Sequence, residues 1–445
     1  MIKIALPEHV KFIIETLEKN NHEAYAVGGC VRDSILGRKP NDWDITTSAD
    51  PYEVKKLFSH TIDTGLQHGT VTIMLDKIGY EVTTYRIDGD YEDSRHPKEV
   101  TFTKSLEEDL KRRDFTINAM AYNDRDGLVD LFCGVEDIQR KAIKCVGNAT
   151  ERFTEDALRI MRAVRFSAQF GYDIEEETKK AISALAPNLK NISAERIREE
   201  LIKLLVSDHP DYIRIAYETG ITAQILPELD ICMKTEQNTP HHKYTVGEHM
   251  IQSLLYVPAD KVLRLTMLMH DIGKPSCKTT DEMGIHHFKG HPEKSADMAV
   301  DIMHRLKFDN DTLNRVRRLV KFHDWNISLG MPIKKSTVRS GISRMGMDLF
   351  PDLFLVSDAD LMAQSDYKKE EKQEKQRIIK ELYREIIQQG DCLTIKNLAV
   401  TGNDLIQNGM KPGKEIGVVL QKMLEEVLEN PSHNTREYLL GRNYI

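Results

Sequence analysis

The sequence predicts an α+β protein in which a mixed head over residues 1–145 is followed by a long all-α remainder. Two observations carry this. Short apolar runs with β-like spacing crowd the first third of the chain, whereas from Thr154 onward apolar residues recur almost only at helical intervals. A chain of 445 residues also exceeds what one core supports, so several domains are expected.

Val10, Ile13, Ile14 and Leu17 mark a first amphipathic helix over residues 8–20. Strand-like runs follow at 24–27, 42–46, 69–75, 80–85 and 100–102, with a proline-opened helix at 51–58 between them. Residues 88–97 are polar and aperiodic, which predicts a loop. Residues 116–147 supply a helix start, a hairpin-type turn at 123–127 and short strands. The dense charge run at 366–388 reads as a solvated helix face.

Charged residues make up 30% and hydrophobic ones 40% of the chain, with no apolar run near membrane-spanning length. Residues 1–8 show no signal-peptide core, and the six cysteines form no C-x-x-C pair, so a reducing cytoplasm is expected. The net charge of −8 means that any polyanionic partner must be met by local basic patches.

Chemistry first surfaces in Gly28-Gly29-Cys30-Val31-Arg32-Asp33, followed by Asp42-Trp43-Asp44-Ile45. Glycines let backbone N–H groups approach a phosphate, and Arg32 adds a bidentate fork. On a strand, period two turns Asp42 and Asp44 to the same side. Two carboxylates that close repel unless a cation lies between them, and paired divalent ions are the usual device of phosphoryl and nucleotidyl transfer. Farther on, Arg112-Arg113-Asp114-Phe115 precedes an apparent helix start, where the arginines suit phosphate contact and a solvated edge equally.

In Arg152-Phe153-Thr154-Glu155-Asp156-Ala157-Leu158-Arg159, Thr154 reads as the N-cap of one helix that continues through Arg162 and Arg165. Three-residue steps then make Asp156 and Arg159 neighbours, place Arg162 beside them and send Arg165 to the far side. An aspartate next to an arginine offers an acceptor beside a donor fork. Cytosine and adenine both present an amino donor beside a ring-nitrogen acceptor, so such a pair takes CTP and ATP and rejects GTP and UTP.

The ordered segments G-G-x-V-R-D, D-W-D-I, R-R-D-F-T-I-N-A and R-F-x-E-D-x-L-R-x-x-R-A-x-R-F resemble those of class II tRNA nucleotidyltransferases, the CCA-adding enzymes and their poly(A) polymerase relatives. The resemblance covers roughly residues 20–205. It implies Mg²⁺ at Asp42 and Asp44, and triphosphate contacts from Gly29, Arg32 and Arg113. It assigns base reading to Asp156 and Arg159, with Arg162 and Arg165 supporting nucleotide or tRNA phosphates. The implied partners are tRNA, CTP and ATP, with no membrane. Residues 85–97 occupy the place of a loop reported absent from CC-only enzymes, which weighs against CC-only addition. A-adding enzymes and poly(A) polymerases remain as alternatives.

Downstream, His249, the pair His270-Asp271 in L-M-H-D-I-G-K-P, and Asp360 make a second constellation. Imidazoles with carboxylates suit Ni²⁺, Mn²⁺, Fe or Mg²⁺. The order H…HD…D resembles the HD phosphohydrolase superfamily, which implies a metal site at His249, His270, Asp271 and Asp360 acting on 2′,3′-cyclic or terminal phosphates. Asp360 is preferred over Asp358 as the last ligand, and His291 and His323 resemble additional histidines of that superfamily. An HD phosphohydrolase acting on nucleotide or RNA phosphates, with a vestigial head, is therefore the reading from another class. The expected architecture is a nucleotidyltransferase-type mixed-sheet head (1–145), an elongated helical neck (146–225), an HD-type helical body (226–365) and a helical tail (366–445).

Overall fold

The computed structural model describes residues 2–89, 100–325, 332–442 and 444. Two compact units emerge, Met1–Pro227 and Glu228–Ile445.

The first unit is built on a seven-stranded sheet. Its strands are β1 (Ala24–Val27), β2 (Ile45–Thr47), β3 (Thr61–Gly65), β4 (Thr70–Leu75), β5 (Ile78–Thr84), β8 (Met120–Asn123) and β9 (Gly127–Asp130), with β6 (Arg86–Asp88) and β7 (Val100–Phe102) pairing apart from it. The spatial order is β3-β4-β5-β2-β1-β8-β9, in which only β2 and β5 run parallel. β1 lies inside the sheet and all four of its residues are buried, as its Ala-Tyr-Ala-Val composition demands. Helix α1 (Glu8–Lys19) covers it with Val10, Ile13, Ile14 and Leu17, the four positions expected from the periodicity.

Register decides where chemistry can gather. β1 is antiparallel to both neighbours, so Val27 comes out beside the start of β2 and the start of β8: Val27 N–H donates to Asp44 O at 2.9 Å and Gly28 N–H to Met120 O at 3.1 Å. The Ile45↔Val82 register of the parallel pair sets Glu81 next to Asp44. The glycine turn, the D-W-D segment and Glu81 therefore share one end of the sheet.

Three expectations need correction. Regular strand begins at Ile45, so Asp42 and Asp44 sit in the segment leading into β2 rather than on a strand. β3 has no counterpart in the sequence reading, because its Thr-Ile-Asp-Thr-Gly run is largely exposed at a sheet edge and lacks a buried alternation. The third concerns the neck. Residues 149–170 form two helices, α6 (Ala149–Glu155) and α7 (Leu158–Phe170), broken at Asp156, which is extended at φ −135°. Asn148 caps α6, and Thr154 sits in its last turn with its hydroxyl donating to Thr150 O. Asp156 is then free to accept the Leu158 N–H at 2.9 Å and start α7. The loop expected at 88–97 falls mostly on positions 90–97, outside the described residues.

The second unit is helical apart from one short hairpin among its described residues. The helices Val246–Ser253, Lys261–Met269, His291–Arg305, Asn310–Phe322 and Phe350–Ala363 form its first part, and Lys369–Gln389 packs against Phe350–Ala363.

Candidate active site and histidine–aspartate cluster

At the sheet end, Gly28 is held at φ +81°, and a Cβ there would lie 2.8 Å from Arg113 Nη1. Only glycine suits both the backbone and the arginine beneath it. Gly29 begins helix α2 (Gly29–Ile35). The side chain of Asp44 is open to solvent, yet enough protein flanks it that burial raises its carboxyl pKa, with Arg113 opposing and Asp42 adding. Glu81, absent from the sequence reading, is raised by burial and then by Asp44 and Asp42. Three carboxylates thus converge, and a divalent cation is what such a group lacks. The parallel β2–β5 register was the missing signal for Glu81.

Arg113 is anchored from below. Asp109, fully buried, takes Arg112 at 2.8 and 3.0 Å, lies 3.6 Å from Arg113 Nη2 and accepts from Thr46 Oγ1 at 3.1 Å. Arg112 and Arg113 are therefore not a solvated edge. Arg32 is also buried: Nε and Nη2 go to Asp33, Nη1 goes to Asn118 at 2.5 Å, and its plane rests on Phe170 at 4.8 Å. Two of its five N–H groups remain for a ligand.

The neck arginines are bound by different carboxylates. Arg162 donates to buried Asp114 through Nε (2.8 Å) and Nη2 (2.6 Å), while Arg165 donates to Glu200 at 2.5 Å, and both guanidinium groups lie over the Phe166 ring. Burial works against the Asp114 carboxylate, but Arg162, Asn118 and Arg159 outweigh it and hold the pKa below the ordinary value. Arg159 N–H donates to Asp156 O at 3.0 Å, but their side chains take other partners. Asp156 Oδ2 takes Arg196 at 2.9 Å, and Arg159 donates to Glu155 at 2.7 Å and to the Arg112 carbonyl at 2.9 Å. The helix break puts Asp156 just ahead of α7 instead of inside one continuous helix, with Arg159 still its neighbour.

In the second unit, six side chains from five segments meet. His249 Nε2 lies 2.8 Å from Asp360 Oδ1 and 3.2 Å from His270 Nε2. Asp271 Oδ2 faces His270 (3.3 Å) and His249 (3.6 Å), while Oδ1 faces His291 (3.3 Å) and His323 (3.5 Å). Two metal-type trios result, His249–His270–Asp360 and Asp271–His291–His323. Asp358, the rejected competitor, pairs instead with Lys380.

The tautomers test whether a cation fits. His270, His291 and His323 each place Nδ1 2.7–2.8 Å from the carbonyl three residues earlier (Met267, Phe288 and Val320). A carbonyl only accepts, so each Nδ1 carries a proton and Nε2 points inward, presenting its lone pair wherever the ring is neutral. In the second trio two such lone pairs, 3.3 Å apart, face a buried carboxylate oxygen that has no hydrogen-bond partner. Acceptors converging without a donor fit a metal ion. In the first trio burial opposes charge, yet Asp271 and Asp360 raise His270 to about 10, the same demand for positive charge met by a proton.

The poly A polymerase head domain family matches residues 24–144, and the RNA and SrmB-binding site of polymerase A matches 171–233. In its head the chain is similar to the poly A polymerase head domain. The tRNA nucleotidyltransferase domain 2 family matches residues 353–442, and a CCA-adding enzyme of Lactobacillus helveticus is 36% identical over 438 residues, 96% of this chain and 95% of that one. The chain belongs to the CCA-adding enzyme family. A Leuconostoc mesenteroides CCA-adding enzyme is 56% identical over 194 residues, 44% of this chain, and that match spans about half (48%) of the relative's length. The Bacillus stearothermophilus CCA-adding enzyme, solved with CTP, superimposes with a TM-score of 0.71 at 28% identity, over 97% of this chain and 94% of that one. A Thermotoga maritima CCA-adding enzyme solved with tRNA shares the fold at 21% identity and a TM-score of 0.61, over 99% of this chain and 95% of that one. Among the described residues no helix is long and apolar enough to cross a membrane.

Proposed function

We propose that this chain adds CMP and AMP, from CTP and ATP, to the 3′ end of tRNA in the cytoplasm and releases pyrophosphate. One observation carries the reading: Asp42, Asp44 and Glu81 meet the Gly28 turn and Arg113 at a single end of the sheet. Asp42 and Asp44, with Glu81 beside them, would hold Mg²⁺, which when bound acidifies the attacking 3′-hydroxyl and offsets leaving-group charge. Arg113, fixed by Asp109 under Gly28, and the two remaining donors of Arg32 orient the triphosphate, with the Gly29 N–H nearby. Asp156 and Arg159, next to each other at the helix break, supply the acceptor and the fork that read the base edge, held by Arg196 and Glu155. Arg162 and Arg165 support this wall through Asp114 and Glu200. In this reading residues 1–145, 146–225, 226–365 and 366–445 act as head, neck, body and tail.

The test is incubation with tRNA ending before CCA and each labelled triphosphate in turn. Incorporation of C and then a single A is expected, and A addition alone onto a CC end would point to the A-adding alternative. Use of GTP or UTP by the parent enzyme would remove the Asp156/Arg159 assignment.

A second reading rests on the two trios. With His249, His270 and Asp360 holding one ion, Asp271, His291 and His323 another, and Ni²⁺ or Mn²⁺ as candidates, the second unit is an HD-type phosphohydrolase for cyclic or terminal phosphates. Metal analysis and hydrolysis of bis(p-nitrophenyl) phosphate test it; a metal-free, inactive protein would refute it.

A further inference from the structure

Above the trios opens a cavity of about 960 Å³, a size suited to one small ligand. Its floor carries Asp271, Asp360, His291 and His323. One wall is the helix Lys369–Gln389, whose Lys372, Lys375, Gln376 and Ile379 all line the cavity. Spacings of 3, 1 and 3 put these four on one helix face, while Glu370, Glu371, Glu374 and Arg377 are exposed. The charge run that reads as a solvated helix is thus solvated on one side only.

The lysines of the cavity differ in how they are engaged. Lys274 pairs with Asp271 at 2.7 Å and with Gln237 at 2.9 Å. Lys372 donates to the neutral Gln364 amide oxygen at 2.8 Å, and Gln364 in turn donates to Asp360 at 3.0 Å. Lys372 is therefore aimed at the trio without being neutralised by it. Lys375, one turn along, faces the Asp324 side of the cavity. Lys274, Lys289, Lys372 and Lys375 stand against Asp271, Asp324 and Asp360. Any divalent ions held by the floor leave the cavity strongly cationic, so its ligand is an anion.

A neighbouring part of the wall is aromatic. Trp325, Phe350 and Phe354 line it, with Trp325 edge-on to Phe350 at 5.5 Å. The indole is fixed from behind: a Cβ on Gly341 would lie 2.5 Å from its ring. A fixed indole beside cationic side chains in one cavity matches a ligand with a flat ring at one end and a phosphate at the other.

We propose that Lys372 and Lys375 hold the phosphate, and Trp325 stacks the base, of the nucleoside phosphate taken by the second site, so that the helix Lys369–Gln389 sets that site's specificity. This rests on the phosphohydrolase reading of the trios. Lys372 and Lys375 are positioning residues for the anion, and Trp325 selects nucleosides over simple phosphate esters.

The chain has two tryptophans, Trp43 and Trp325, so Trp43→Phe leaves Trp325 as the sole indole emitter. Full-length Trp43→Phe protein loaded with Mn²⁺ is titrated with AMP, adenosine and inorganic phosphate, and its metal content is measured in parallel. AMP should quench Trp325 saturably, adenosine should do so more weakly, and inorganic phosphate should compete with AMP without quenching. Lys375→Ala and Lys372→Ala should each raise the AMP Kd about tenfold, the loss of one charge-assisted contact, with metal content and melting temperature unchanged. Lys375→Arg should restore binding. Loaded protein that hydrolyses bis(p-nitrophenyl) phosphate but shows no quench, or the same Kd in both alanine variants, overturns the proposal and leaves the metal reading standing. Protein that takes up no metal removes both.

Discussion

The Asp114–Arg162 pair joins the segment after Arg113 to the neck, and its removal has a calculable cost. Arg162→Met deletes two charged hydrogen bonds, at 2.8 and 2.6 Å, from a carboxylate that is 8% exposed. Leaving a buried charge unpaired costs about 3–5 kcal/mol. Arg162 is 35% exposed, and Asp114 keeps Asn118 and the Phe115 N–H, so water and these donors reduce the loss to about 2–3 kcal/mol. For the unit Met1–Pro227, an unfolding entropy of about 2.1 cal/mol/K per residue converts this to a Tm drop of about 4–6 °C. Differential scanning calorimetry of the full chain measures it. Asp114→Asn combined with Arg162→Met should recover most of the loss, because no charge is then stranded. The sign with pH follows from the lowered Asp114 carboxyl: its stabilisation is complete above the ordinary value of 3.8 and is lost as pH falls toward the folded value. The Tm gap between parent and Arg162→Met should therefore be full at pH 6 and narrow below about pH 4. A gap under about 1 °C at pH 6, or a double variant no better than the single, would refute the reasoning.

Other outcomes follow from the same geometry. Asp44→Asn should reduce nucleotide incorporation by at least about a thousandfold with the fold intact by circular dichroism, and Glu81→Gln should reduce it by a smaller factor. Gly28→Ala forces a Cβ to 2.8 Å from Arg113 at φ +81°, so the KM for CTP and ATP should rise about tenfold or more in steady-state assays. Arg196→Ala frees Asp156 Oδ2 and should loosen discrimination between CTP and UTP, read as a ratio of kcat/KM values. His323→Ala should lower bound metal by one ion per chain, by elemental analysis, while the His249–His270–Asp360 trio keeps its own.

Features encoded locally were readable before any fold was known. The α1 stripe, the 123–127 turn and the short strands follow from spacing and turn chemistry, and the choice of Asp360 over Asp358 followed family order. What escaped depends on partners distant in sequence. Glu81 joins the carboxylates only through the β2–β5 register, and the burial of Asp109 and its bond from Thr46 come only with β2, although its contact with Arg113 is local. The break at Asp156 was missed because Thr154 satisfies a cap rule that Asn148 satisfies better six residues earlier. The sequence also carries a basic cluster at 305–321, whose residue types suit RNA contact and a solvated helix face equally. In the fold Arg305 pairs with Glu228, and Arg315 and Arg318 with Asp348, so these three are ion-paired.

Asp271 sends one oxygen to each side of its cluster, and this forbids independence between the two trios. Charge taken up on the Oδ2 side alters what the Oδ1 side feels, and thermodynamic reciprocity makes the influence equal in both directions. Loading curves should then not fit two separate sites. The first equivalent and the second will report a shared coupling free energy, whichever trio fills first.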